Sequence, residues 1–167
     1  ALGLPSLVGR PPGEARTGRV ARWSVTLALL AAVGVFVGML ATGSRHVPLD
    51  LGKWVEVGGG AGGPAGHYEF EVKFVFDRLS VPFLIVGLML CGTVAHFATK
   101  YLHFERGFNR FFVLYAVFVL GVVVATLAGS IETLFAGWEL LGLSSALLVA
   151  YFHERPAPVR NGLWVWA

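Results

Sequence analysis

Two acids stand in a run that otherwise carries no charge: Glu132 and Glu139, in Ile131-Glu132-Thr133-Leu134-Phe135-Ala136-Gly137-Trp138-Glu139-Leu140-Leu141-Gly142. A helix over this run sets them seven residues apart on one face. At 1.5 Å rise per residue Glu139 lies about 10 Å beyond Glu132. If the run crosses a bilayer, Glu132 sits near one end and Glu139 well inside the hydrocarbon. A charge near the bilayer centre costs roughly 2.5–3.5 kcal/mol on insertion scales, and leucine would make the same helix without that cost. A carboxylate retained there is expected to face protein or water, paired or with a raised pKa. Both conditions suit a group that accepts and hands on a proton, so Glu139 is the first candidate for proton transfer. The competing reading is a carboxylate that only joins two helices through a buried hydrogen bond. Glu132 is a second candidate, with the alternative of an interfacial acid held by the positive end of its helix.

Two further residues carry titratable groups at telling places. Asp77 precedes an apolar run, where it could relay a proton or simply cap the helix and pair with Arg78. His96 lies near the end of that run, as a proton carrier or as a hydrogen-bonded histidine between helices. His103 and His153 fall in polar stretches and read as solvated. Gly58, Gly60 and Gly63 match G-x-G-x-x-G, but within low-complexity glycine and with no helix opening after it, so no nucleotide site is expected there. There is no P-loop, no C-x-x-C and no H-E-x-x-H, and no residue set points to flavin, haem, nucleotide or zinc; neither cofactor nor metal is expected. The one cysteine, Cys91, sits in an apolar run and reads as a small hydrophobe.

The elements that must position these groups follow from hydropathy. The 167 residues are 56% hydrophobic and 14% charged, with mean hydropathy +0.70. Soluble domains carry about a quarter charged residues, so this composition calls for a membrane as solvent. Apolar runs of about 20 residues, long enough to cross some 30 Å of hydrocarbon, occur near 23–41, 79–99, 111–128 and 131–152, and a fifth opens near Gly162. Residues 1–22 read as a polar arm. Between the first two runs, 42–78 form an external loop. There Tyr68, Phe70, Val72, Phe74 and Phe76 alternate with Glu69, Glu71 and Lys73, which predicts a β-hairpin with Gly58–Gly66 as its turn. Ser80 is the expected N-cap of the second run, with Pro82 in its first turn. The fold class is all-α: a polytopic membrane helix bundle of four complete spans and the start of a fifth, with one external hairpin. Beginning at Ala1 and stopping in an apolar run, the sequence reads as a fragment, with the helices of 79–167 continuing beyond it.

Charge sets the orientation. Nine of the thirteen Lys and Arg fall in 1–22, 100–110 and 153–161, all on one side. The positive-inside rule places that side in the cytoplasm and the hairpin outside. The net charge of +3 is thus topology signalling, and no nucleic-acid partner is expected. Trp23, Tyr101 and Tyr151 at the span ends form interfacial belts. Gly137, Gly142, Ser144, Ser145 and Ala146 permit close helix contact around Glu139.

Phe76-Asp77-Arg78-Leu79-Ser80, Lys100-Tyr101-Leu102, Asn109-Arg110-Phe111-Phe112 and Gly137-Trp138-Glu139-Leu140-Leu141-Gly142-Leu143-Ser144-Ser145 occur in order. Together they resemble the antiporter-like subunits of respiratory complex I, subunit 5 or bacterial subunit L, and the related large subunit of multi-subunit cation/proton antiporters. The resemblance covers roughly 50–167. It implies that Glu139 pairs with a lysine on a later helix, beyond Ala167, and takes part in proton transfer. It also implies a proton-translocating subunit coupled elsewhere to NADH:quinone electron transfer, partnered by other membrane subunits in a bacterial inner membrane. Gly129-Ser130 stands where that family often has Asp-Asn, Ala146 where it has an aromatic, and Glu132 where it is usually apolar. Two alternatives stay open: a sodium/proton antiporter subunit, or a proton-driven membrane subunit of an inorganic-carbon uptake complex.

Overall fold

The computed structural model describes residues 13–57, 68–105, 107–152, 154 and 156–166. The glycine-rich turn and His153 lie outside the described residues. The elements are α1 (Glu14–Thr42), β1 (His46–Val57), β2 (Tyr68–Asp77), α2 (Ser80–Tyr101), α3 (Phe108–Leu127), α4 (Ile131–Val149) and α5 (Pro156–Trp166). Helices α1 to α4 are each long and apolar enough to cross a membrane. The chain is therefore a mostly helical membrane bundle with a fifth helix and a small two-stranded antiparallel sheet.

Helix α1 begins at Glu14, inside the stretch read as a polar arm. Hydropathy alone misses this start because tertiary contacts carry the helix through its charged first turns. Thr17, almost fully buried, donates to Asn109 Oδ1 of α3 at 2.7 Å, and Glu14 Oε2 meets His103 Nδ1 at 2.8 Å. The arginines fold back on their own helix, Arg19 to the Ala15 carbonyl and Arg22 to the Gly18 carbonyl. The helix ends at Gly43, whose φ of 72° gives the left-handed turn that returns its N–H to Leu40 O.

The strands pair from His46 opposite Asp77 to Val57 opposite Tyr68, with the register shifting around Lys53. Gly52, at φ 101°, takes the backbone through this irregularity. Residues 71–77 of strand β2 are half-buried, and Phe74 and Phe76 pack against Ala32, Leu84, Leu88 and Leu127 in an apolar cluster at the hairpin end of the bundle. A middle cluster gathers Val25, Cys91, Ala95 and Tyr115. At the arginine-rich end Phe112 is fully buried among Ala21, Ala98, Leu102, Phe108 and Tyr151. Helices α1, α2 and α3 contact one another; α4 rests on α3, with α5 beside it and β2 at its head.

Candidate functional site

Helix α4 is held first at its N-terminus. Ser130 accepts from Thr133 N at 3.3 Å as N-cap and donates its hydroxyl to Glu71 O of β2 at 2.8 Å. Gly129 N donates to Lys73 O at 2.7 Å, and Lys73 N to Thr133 Oγ1 at 3.3 Å. The hairpin strand thus grips the turn between α3 and α4. A β-carbon on Gly129 would come 2.7 Å from Val75 Cγ2, so glycine permits this approach.

Two turns further, α4 meets α3 at van der Waals limit. A β-carbon built on Gly137 would lie 2.4 Å from Ala125 N, and one on Gly121 would lie 2.8 Å from Leu141 N. Glycine in both helices lets the backbones touch. This contact sets the rotation of α4. Thr133, Gly137, Ser144 and Ala146 are buried, while Trp138 and Glu139 are exposed. Two residues on a helix turn about 200°, so a buried Gly137 sends Glu139 to nearly the opposite side.

Among the described residues Glu139 has no hydrogen-bond or ion-pair partner. Ile131, Leu134, Phe135, Trp138 and Leu143 around it are also exposed, Trp138 by 70%. Helix α5 climbs α4 toward this surface. Gly162 fits against Ala146 O and Ala150, and Trp166 reaches Gly142, one turn from Glu139 on the same side. Glu132 lies in the first turn of α4 beside its positive end and is half-buried.

The other candidates lie elsewhere. Asp77 caps α2: its Oδ1 accepts from Leu79 N at 2.8 Å and Ser80 N at 2.6 Å. In return Ser80 Oγ accepts from Asp77 N at 3.1 Å. The cap expected at Ser80 is therefore Asp77, with Ser80 as the reciprocal partner three residues on. The Ser80 N–H, and then that of Leu79, hold the Asp77 carboxyl below the ordinary aspartate range. His96 is exposed at the seam of α1 and α2, near Thr26, Met89 and Thr93. It is not brought to Glu139, because α4 rests on α3 and α5.

Sequence reasoning missed several polar contacts that fix the frame. Arg110 donates to Tyr151 O just beyond the end of α4, its guanidinium 5.3 Å from the Tyr151 ring centre. Tyr115 donates to the Cys91 carbonyl across α2 and α3. Asn109-Arg110-Phe111-Phe112 thereby joins α1, α3 and the end of α4. Ser130 could have been found: a serine directly before an apolar helical run is an N-cap signal. The others join residues far apart in sequence and leave no local signal. Among the described residues no three His, Cys, Asp or Glu gather as a metal site.

Comparison with known proteins agrees with this architecture. The family model described as NADH-ubiquinone oxidoreductase (complex I), chain 5 N-terminus, matches residues 64–112, from before β2 into α3. NADH-quinone oxidoreductase subunit L of Escherichia coli K12 is 30% identical over 139 residues, covering 83% of this chain and 21% of the relative. Subunit L of Neisseria meningitidis serogroup A is 24% identical over 155 residues, 92% of this chain and 22% of the relative. NADH-ubiquinone oxidoreductase chain 5 of Mytilus edulis is 39% identical over 85 residues, 51% of this chain and 15% of the relative. The chain spans about a fifth of the length of the subunit L relatives it matches. With its apolar spans, two-stranded hairpin and these matches, the chain belongs to the family of complex I chain 5 and its bacterial counterpart, subunit L.

Proposed function

We propose that this chain is part of a proton-translocating membrane subunit of an NADH:quinone oxidoreductase, and that Glu139 is its proton-transfer carboxylate. The observation that carries the reading is the placement of Glu139. It lies two turns into an apolar helix, on the side turned away from α3 by the Gly137–Ala125 contact. A carboxylate so deep in an apolar helix is costly unless another polar group or water meets it. The exposed α4 surface around it is where such a group would arrive, and α5 already leads toward it.

The mechanism is electrostatic. Ionised Glu139 stabilises a protonated lysine on a further helix, as membership of the family implies. When that partnership weakens, the lysine pKa falls and its proton is released. Glu132, nearer the hairpin end on the same helix, is the second candidate for proton transfer. Asp77 serves as the cap of α2, and His96 belongs to the α1–α2 seam. Other membrane subunits of the complex, and a bacterial inner membrane, complete the reading. The test is Glu139→Gln in the full-length protein within its complex, with proton pumping measured in sealed vesicles. Undiminished pumping refutes the role. Uptake that follows sodium instead of protons replaces the coupled ion with sodium.

A further inference from the structure

Two open grooves follow one another along the seam between α1 and α2. The first, of about 370 Å³, lies at the arginine-rich end and is lined by Glu14, Gly18, Arg22, Thr99, Lys100 and His103, among others. The second, of about 430 Å³, continues toward mid-span between Val25, Leu29, Leu88, Met89 and Gly92, with His96 on its rim. One end is charged and the other apolar. Glu14, the one acid in the lining of the first groove, is engaged by His103 Nδ1 at 2.8 Å and by Phe104 N at 3.4 Å. Arg22 and Lys100 outnumber that acid, so the lining is net basic. Arg22 uses Nε on the Gly18 carbonyl at 3.3 Å, which steers its guanidinium along the helix surface. Gly92 keeps the lower groove open, since a β-carbon there would already touch Val25 at 3.6 Å.

We infer that this seam holds an anionic phospholipid, its phosphodiester between Arg22 and Lys100 and one acyl chain along Val25, Leu29, Met89 and Gly92. Charge complementarity selects the headgroup, and basic pockets between membrane helices on the cytoplasmic side suit such lipids. The adjoining apolar groove distinguishes a lipid from a free phosphate, which would gain nothing from the lower half. An arginine fork and a lysine ammonium are the two side chains best matched to phosphate oxygens. A lipid wedged there would also fill the shallow surface between α1 and α2 where Gly92 leaves little side chain.

The test uses the full-length protein in its complex, reconstituted in mixed vesicles of phosphatidylglycerol and phosphatidylcholine, each lipid carrying in turn a photoreactive acyl chain. Phosphatidylglycerol is expected to label peptides spanning residues 25–29 and 88–93 about thirtyfold more than phosphatidylcholine does, the order two basic side chains give near an anionic headgroup. The double variant R22Q/K100Q is expected to abolish this preference. Gly92→Leu, which fills the apolar half, is expected to lower labelling by both lipids. Arg78→Gln, at the opposite end of α2, should leave it unchanged. Equal labelling of the wild type by both lipids overturns the proposal, and needs no variant. A preference unaffected by R22Q/K100Q, or erased by millimolar inorganic phosphate with no effect of Gly92→Leu, overturns it as well, the last in favour of a free-phosphate site.

Discussion

Gly137 of α4 lies so close to Ala125 of α3 that a β-carbon on the glycine would stand 2.4 Å from the Ala125 backbone nitrogen. The neighbour is backbone, so it cannot swing aside. Gly137→Ala is therefore expected to push the helices apart at a cost of about 1–3 kcal/mol. Gly142→Ala, whose added carbon finds only Trp166 at 3.8 Å, is expected to cost little. Thermal unfolding of the two full-length variants in detergent checks the contrast, and equal midpoints would contradict the close approach.

The same contact turns Glu139 outward. Glu139→Gln keeps shape and removes the ionisable proton, so proton translocation by the complex should fall at least tenfold while assembly remains near wild type. Glu139→Asp, which keeps the carboxyl on a shorter stem, should retain part of the activity. Loss of assembled complex with unchanged transport per complex would mark Glu139 as a helix-joining residue instead.

At the head of α2, Asp77 accepts two backbone N–H bonds, and its carboxyl is held below the usual aspartate range chiefly by Ser80 N–H. Asp77→Ala is expected to cost about 1 kcal/mol at neutral pH, the ordinary worth of an N-cap. Because the folded-state pKa is depressed, the stabilisation is present above the unfolded value near 4 and disappears as pH falls through the folded one. The gap between wild type and Asp77→Ala in a thermal unfolding series should therefore hold from pH 7 to about 5 and close below about 4. A gap that widened in acid would exclude this role.

Ser130 links α4 to the hairpin through the Glu71 carbonyl. Ser130→Ala removes the cap, worth about 1 kcal/mol, and loosens strand β2 at the same stroke. Hydrogen exchange is expected to quicken at the amides of Lys73 and Gly129, which bond to Thr133 Oγ1 and Lys73 O. Exchange that quickens in α4 alone would show that the hairpin is anchored by Phe74 and Phe76.

Much of the fold was legible without coordinates. The alternation Phe74, Phe76 against Lys73 announced the strand that packs those two half-buried rings on the bundle, and the runs near 79–99, 111–128 and 131–152 lie within three residues or so of α2, α3 and α4. Glu139 stood out because a carboxylate amid apolar residues is improbable on transfer energy alone. The start of α1 at Glu14 was not legible, since its charged turns are held by Asn109 and His103 some 90 residues away. Asp77 was weighed as a cap, but assigning the cap to Asp77 over Ser80 needed the backbone directions of Leu79 and Ser80.

Hydropathy and periodicity are properties summed along the chain, and they alone determined that this protein is a set of apolar helices with a two-stranded hairpin and an acid two turns into the fourth long helix. Which side of that span the acid occupies was decided in three dimensions. The glycines of α3 and α4 let two backbones meet at one rotation, and van der Waals contact between residues distant in sequence selects that rotation with no trace in the local pattern.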